Sequence, residues 1–285
     1  MRLTDAVAGM LLAAMAAAPV AAVETRVDAV AFAGRLDYSH SSLKDSSSYR
    51  GLYAYVGRGL DHQYELSLQQ IDVEFLGGAI FRQRDLTSVY TNYTQPGWRL
   101  RGGFHAIDSD RALSGDGLVL FLGAHGLQSG PWDLGLDVYR SSYSELAPDL
   151  TVWQISPQLA FGAWSSAAHG LRSELRAHLI FASDDIGLGR REFRSAEERL
   201  IYTWRRWTLT ASGWAGNQGL AVRDDGFTVF NLPERHEGGY SFESRYRLGG
   251  DTTATVRTAQ EIYREAGATN RSSAQSWTAS VGHTF

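Results

Sequence analysis

A few places in the chain combine residue types that could do chemistry. His40-Ser41-Ser42 sets an imidazole beside two hydroxyls, the pairing a hydrolase needs to activate a serine nucleophile. Asp184-Asp185 and Asp224-Asp225, with His236, supply acids and a base of the kind that activates water. Gly187-x-Gly189 falls well short of a phosphate-cradling fingerprint. The eight histidines show no metal-ligand spacing. Each of these groups lies in a polar, loop-like stretch, where serine clusters and adjacent acids are solvated, so the expectation is no enzyme, no metal and no cofactor. Acidic loops could still hold calcium or another divalent ion, at no particular residues. A second charged pattern is of another kind. Arg172, Glu174, Arg176 and His178 recur at every second position, as do Arg99 with Arg101 and Arg245 with Arg247, while Arg257 stands alone. Such rows line an aqueous passage and set its charge preference, or they brace its walls.

The elements that would hold these rows are strands. From Val27 onward, apolar residues alternate with polar ones, the signature of strands with one apolar face. Leu171, Leu175, Ala177, Leu179 and Phe181 interleave with the charged row from 172 to 178. Segments of this kind recur to the last residue, separated in turn by short connections (Gly59–Asp61, Pro96-Gly97, Arg205-Arg206, Gly249–Asp251) and longer polar ones (Ser41–Ser48, Asp72–Asp85, Asp184–Arg194, Asn217–Glu237). The count is about 14 strands, within a span of roughly 12–16, in one all-β domain. Short turns on one side and long loops on the other fit a single antiparallel transmembrane β-barrel.

Setting the apolar parity outward places Arg35, Asp37, Arg50, Arg99, Arg101, Arg172, Glu174, Arg176, His178, Arg245, Arg247 and Arg257 on the lumen side. Arginines outnumber acids there, and only Arg140 and Glu198 fall on the lipid face. One irregularity is expected, a phase slip at Gln69-Gln70 before Ile71, Val73 and Phe75, read as a bulge. Tryptophans 98, 132, 153, 164, 204, 207 and 277 fall near strand ends, as interfacial girdles require.

Composition removes competing classes. With no cysteine there is no disulfide framework and no thiolate metal site. A net charge of −4 and a single lysine, Lys44, leave no footprint for nucleic acid. Residues 1–22 read as a secretory signal peptide: Arg2, an Ala-rich apolar run, then Val20-Ala21-Ala22 as the cleavage site. Residues 23–285 form the barrel domain.

The closing stretch, with Trp277, Val281 and Phe285 alternating before the terminus, resembles the C-terminal signature of Gram-negative outer-membrane β-barrel proteins, a porin-like class. That resemblance implies the cell outer membrane, contact with its lipid and lipopolysaccharide, and recognition of the last strand by the barrel-assembly machinery. The function expected is a channel for passive diffusion of small polar solutes, anions favoured, in a barrel with the monomer as its favoured state. The alternative is a non-transport barrel that serves as scaffold or as export component for a partner. If the last strand carries the insertion signal, deleting Phe285 should lower outer-membrane levels and leave material in the periplasm, as fractionation and immunoblotting would read.

Overall fold

A computed structural model describes residues 24–110, 116–127, 131–147, 149–166 and 168–285. The expected signal peptide lies outside the described residues. The strands are β1 (Thr25–Ser39), β2 (Lys44–Arg58), β3 (His62–Phe75), β4 (Ile80–Asn92), β5 (Trp98–Ser109), β6 (Gly117–Leu127), β7 (Trp132–Tyr143), β8 (Leu150–Ser165), β9 (His169–Ala182), β10 (Glu192–Trp204), β11 (Trp207–Gln218), two short strands β12 (Val222–Arg223) and β13 (Thr228–Val229), then β14 (Glu234–Gly249), β15 (Thr252–Glu265) and β16 (Ser272–Thr284). All but β12 and β13 form one closed antiparallel barrel of fourteen strands. Closure is made by β1 against β16, in register from Asp28↔Thr284 to Ser39↔Ser273.

The outer surface carries the apolar belt that lipid demands. Leu122, in the middle of β6, is 72% exposed, and Leu134, Val256 and Val281 also point outward. Tryptophans 98, 132, 204 and 207 ring the short-turn end of the wall, while Trp153 and Trp277 lie toward the opposite end, all half-exposed; the side chain of Trp164, expected in the same girdle, lies outside the described residues. By the usual arrangement the short turns face the periplasm. An unbroken ladder with an apolar exterior is the condition for crossing hydrocarbon, because no backbone group is left unpaired there.

The expected parity fails on the first strands. Val30, Phe32, Leu36 and Tyr38 of β1 line the interior, as do Tyr49 of β2 and Ile71 and Val73 of β3. Arg35 and Asp37 point outward, 67% and 58% exposed, and pair with each other; Arg50 is likewise on the outer face. The lipid face of β1 is instead Ala29, Ala31 and Ala33, so this strand is apolar on both sides and the bulkier set misleads. No bulge breaks β3 at Gln69-Gln70, because its pairing with both neighbours runs through without a shift there. Tyr64 and Leu68 face lipid low on the strand. Higher up, the outward positions become Gln70, Asp72 and Glu74, and the inward ones become Ile71 and Val73. The apolar pattern changes face where the strand leaves hydrocarbon, which imitates a slip of one residue. The true irregularities lie elsewhere, at Gly162/Trp164, Ala215/Gln218 and His236/Gly238 among others.

Outward charge is therefore more common than expected. Beside Arg140 and Glu198, the outer face carries Arg35, Asp37, Arg50, Asp72, Glu74 and Arg82, with Arg82 paired to Asp72 at 2.9 Å. On β1–β4 these charges lie toward the extracellular ends, where the depth-dependent penalty is small. A charge at mid-strand is another matter. Leu122→Arg should cost about 2–4 kcal/mol of barrel stability, and Val281→Arg, nearer the periplasmic end, should cost less. Urea unfolding of refolded protein measures both, with loss of the faster-migrating unheated form in detergent gels as the readout of unfolding.

Candidate functional site: a loop folded into the lumen

The segment between β11 and β14 turns into the barrel. Its sequence explains why: Leu220, Ala221, Val222, Phe227, Val229 and Phe230 would be costly to leave in water. Leu220 and Ala221 are fully buried among Ile107, Tyr143, Leu150, Ile180 and Phe193 of the wall. Val222 packs with Val89, Val119, Phe121 and Tyr139. Burying side chains of this size contributes roughly 1.5–3 kcal/mol each before entropy is counted. The segment makes a miniature hairpin, Val222 opposite Val229 and Arg223 opposite Thr228, turned by a single 3-10 turn at Asp224–Gly226. Gly226 is required, since its φ is +97° and a Cβ there would lie 2.7 Å from the Phe121 ring. Gln154 of β8 acts as a substitute strand neighbour: Val222 N donates to its Oε1 at 2.8 Å, and its Nε2 donates to Val222 O at 2.6 Å. Asn231 donates to Gln83 of β4 at 2.8 Å.

The tip of this hairpin enters a ring of arginines. Arg176 of β9 donates from Nη2 to Asp225 Oδ1 at 2.7 Å and to Gln158 Oε1 at 2.7 Å. Arg101 of β5 donates to the Asp225 carbonyl and lies 3.5 Å from both Asp225 Oδ1 and Asp137 Oδ1. Arg199 of β10 holds Asp224 at 3.1 Å. The loop returns a cation of its own. Arg223 reaches Glu197 and Glu261 at 3.1 Å each and stands over Trp214, 5.1 Å from the ring centre. Burial disfavours the Asp225 carboxylate, but Arg176 and Arg101 overcome that penalty and hold its titration below the ordinary Asp range. The side chain is still 38% exposed, so lumen water screens part of the effect.

The residues expected to line the lumen divide into two sets. On the β5–β10 side they are braces. Arg101 and Arg176 clamp the tip, Arg172 is tied to Asp133 and Glu174 at 2.9 Å each, and His178 is buried against Ser156 and Gln154, 3.6 Å from Glu197. Arg99 lies on the same face of β5 as Arg101 but is not seen to brace the wall: its Nε is buried with no hydrogen-bond partner among the described residues. On the opposite side the wall is open to space. Arg245 pairs weakly with Glu243 at 3.4 Å, Arg247 is exposed near the periplasmic end, and Arg257 makes no ion pair among the described residues.

The acidic pair Asp224-Asp225, expected to be merely solvated, is the latch of the inserted loop, and Arg223 beside it was not anticipated. The signal was present: a connection containing Val222, Val229 and Phe230 is too apolar for a surface loop. The hydrolase-like groups do not assemble. Ser41 and Ser42 both donate to the Glu265 carboxylate, not to His40, and His236 stacks on Phe230 and binds Glu261 at 3.1 Å. Asp185 serves its own turn by accepting from the Leu188 and Gly189 amides. No group of three or more potential metal ligands converges among the described residues.

Two cavities flank the loop. The upper, of 490 Å³, lies between it and the β1–β3 and β14–β16 walls; the lower, of 310 Å³, lies toward the periplasm against β10, β11 and β14. Asp224, Glu243 and Arg257 line both.

No family model matches the sequence, and no curated protein matches it. Solved structures do match in shape. The outer-membrane protein Omp33 of Acinetobacter baumannii aligns with a TM-score of 0.52 at 9% identity, over 92% of this chain and 99% of that one. A bacterial polysaccharide outer-membrane secretin aligns at 0.57 and 11% identity, over 90% and 98%. The Pseudomonas putida toluene transporter TodX aligns at 0.56 and 9% identity, over 93% and 90%. The fold is that of the Gram-negative outer-membrane β-barrels. At these identities the likeness carries architecture alone. With the apolar belt and closed ladder described above, it agrees with a location in the cell outer membrane.

The latch has a pH signature. A carboxylate whose folded pKa is depressed adds stability that is fully present above its unfolded value, ~3.9, and is lost only as pH falls through the lower folded value. The tip should therefore stay seated from neutral pH down to about 4. Asp225→Asn, which leaves Arg101 and Arg176 without their shared counter-charge, should free it at every pH. Protease accessibility of the 224–228 segment in refolded protein reads both.

Proposed function

We propose that the protein is a passive outer-membrane channel for small polar solutes, with a mild preference for anions. The observation that carries this reading is the asymmetry of the inserted loop. It fills the β4–β10 side of the lumen and leaves space along the opposite wall, where the two cavities share Asp224, Glu243 and Arg257. A solute passing between them must move past those three side chains. In a lumen partly filled by the loop, low-dielectric walls focus the field of fixed charges on the remaining space, so those charges act more strongly than they would on an open surface.

The charge preference moves with the geometry. Arg101, Arg172 and Arg176 are matched by acids within 3.5 Å and offer little net field. Arg257, with no ion pair among the described residues, and Arg245 and Arg247 below it are the cations that face the open path. Ser41 and Ser42 donate to the Glu265 carboxylate, which weighs against either serving as a nucleophile.

Reversal potential across a salt gradient in planar bilayers tests the proposal. Native protein should favour anions mildly, and Arg257→Ser should weaken or invert that preference. Arg172→Ser, which removes a wall brace, should leave it nearly unchanged. A native barrel that does not conduct would overturn the channel reading.

A further inference from the structure

The upper cavity is lined in a way that a passage for polar solutes does not require. Val30, Phe32, Leu36 and Ile71 face it from the wall, and Phe230 and Leu232 face it from the loop. Lumen-facing positions of a membrane barrel are ordinarily polar. Here the upper polar pair of β1, Arg35 and Asp37, is on the outside, and the bulky apolar set borders open space. The fully buried apolar residues of the loop do not explain this, because they pack against β4–β10 on the other side; toward the near wall the loop sends Phe227 onto Tyr53 of β2. The volume, 490 Å³, is that of a small-molecule site, which typically spans ~300–1,000 Å³.

The floor supplies one cation held in no contact ion pair, although it lies near enough to Asp224 and Glu261 to interact with both charges. Glu261 is engaged by Arg223 and His236, Asp224 by Arg199 and Thr228, and Glu243 by Arg245. Lys44, at the top, is engaged by Glu234 at 2.5 Å. Arg257 alone on this floor has no ion pair among the described residues, although Glu243 is its register partner on β14. A guanidinium offers a forked set of donors matched to a carboxylate.

The geometry points to a binding site for an amphipathic monocarboxylate, its apolar body against Val30, Phe32, Leu36 and Phe230 and its carboxylate on Arg257. This names a solute class for the proposed channel, and it rests on the reading that the lumen is open to water.

The chain has no cysteine, so one introduced thiol reports on the cavity without background. Leu36→Cys, refolded into phosphatidylcholine vesicles, should react with a water-soluble maleimide; Val30→Cys is the second reporter if the first fails to fold. Hexanoate, octanoate and decanoate should slow that reaction, with apparent affinity rising up to roughly fourfold per added methylene. At ten times its dissociation constant, octanoate should slow labelling about tenfold. Acetate should have no effect, and a reporter in the lower cavity, Thr208→Cys, should not be protected. In the Leu36→Cys/Arg257→Gln double variant, octanoate should protect no better than octanol.

No protection by octanoate, equal protection by acetate, equal protection at residue 208, or full octanoate protection without Arg257 would each overturn the site. Conductance of the same Leu36→Cys protein separates the two levels. A conducting barrel unprotected by octanoate defeats this inference alone. A barrel that neither conducts nor labels defeats the channel reading beneath it.

Discussion

Hydrocarbon offers no partner to a peptide N–H or C=O, so every backbone group at membrane depth must be paired within the chain. The β1–β16 ladder meets that condition by leaving the barrel no edge. Closure also fixes a strict alternation, because each strand residue faces either the surroundings or the lumen. What each face must be then depends on height. Through hydrocarbon the exterior is Leu, Val, Ala and Trp, and beyond it the exterior turns to Arg35, Asp37, Asp72 and Arg82. The interior carries whatever its contents require.

Those contents are unequal. A guanidinium taken from bulk water needs anions and acceptors around it, and a carboxylate needs donors. Arg101, Arg176 and Arg199 on the wall, and Asp224 and Asp225 on the loop, answer that need for each other. Arg223 completes the exchange in the reverse direction through Glu197 and Glu261. The wall's arginine rows thus serve first as a socket. The cations left over, on β14 and β15, are the ones that face open space.

The strand count, closure, girdle tryptophans and outward placement of Leu122, Trp277 and Val281 were legible because period-2 alternation survives in a single sequence. The inward placement of Arg101, Arg172, Glu174 and Arg176 was legible for the same reason. Two things were not. On β1 both faces are apolar, and the larger residues point inward, so size was a false guide to lipid contact. On β3 the apolar face changes sides at the membrane boundary, which alternation alone cannot distinguish from a bulge. The site was half legible: the arginines could be placed, but their partner lies some fifty residues beyond Arg176, in a connection whose path depends on tertiary packing. Only its apolar content hinted that it would not stay outside.

The inserted hairpin leaves the wall at β11, returns at β14, and is held by side chains of β4, β5, β8, β9 and β10 across the lumen. It is a chord drawn through the barrel. Here, flattening along one diameter must stretch the Asp225–Arg176 contact and the Gln154 clamp, while flattening across it must compress the packed residues around Leu220. The loop therefore works as a tie-rod. The cross-section of the lumen is set by the packing of that cross-member as well as by the number of strands.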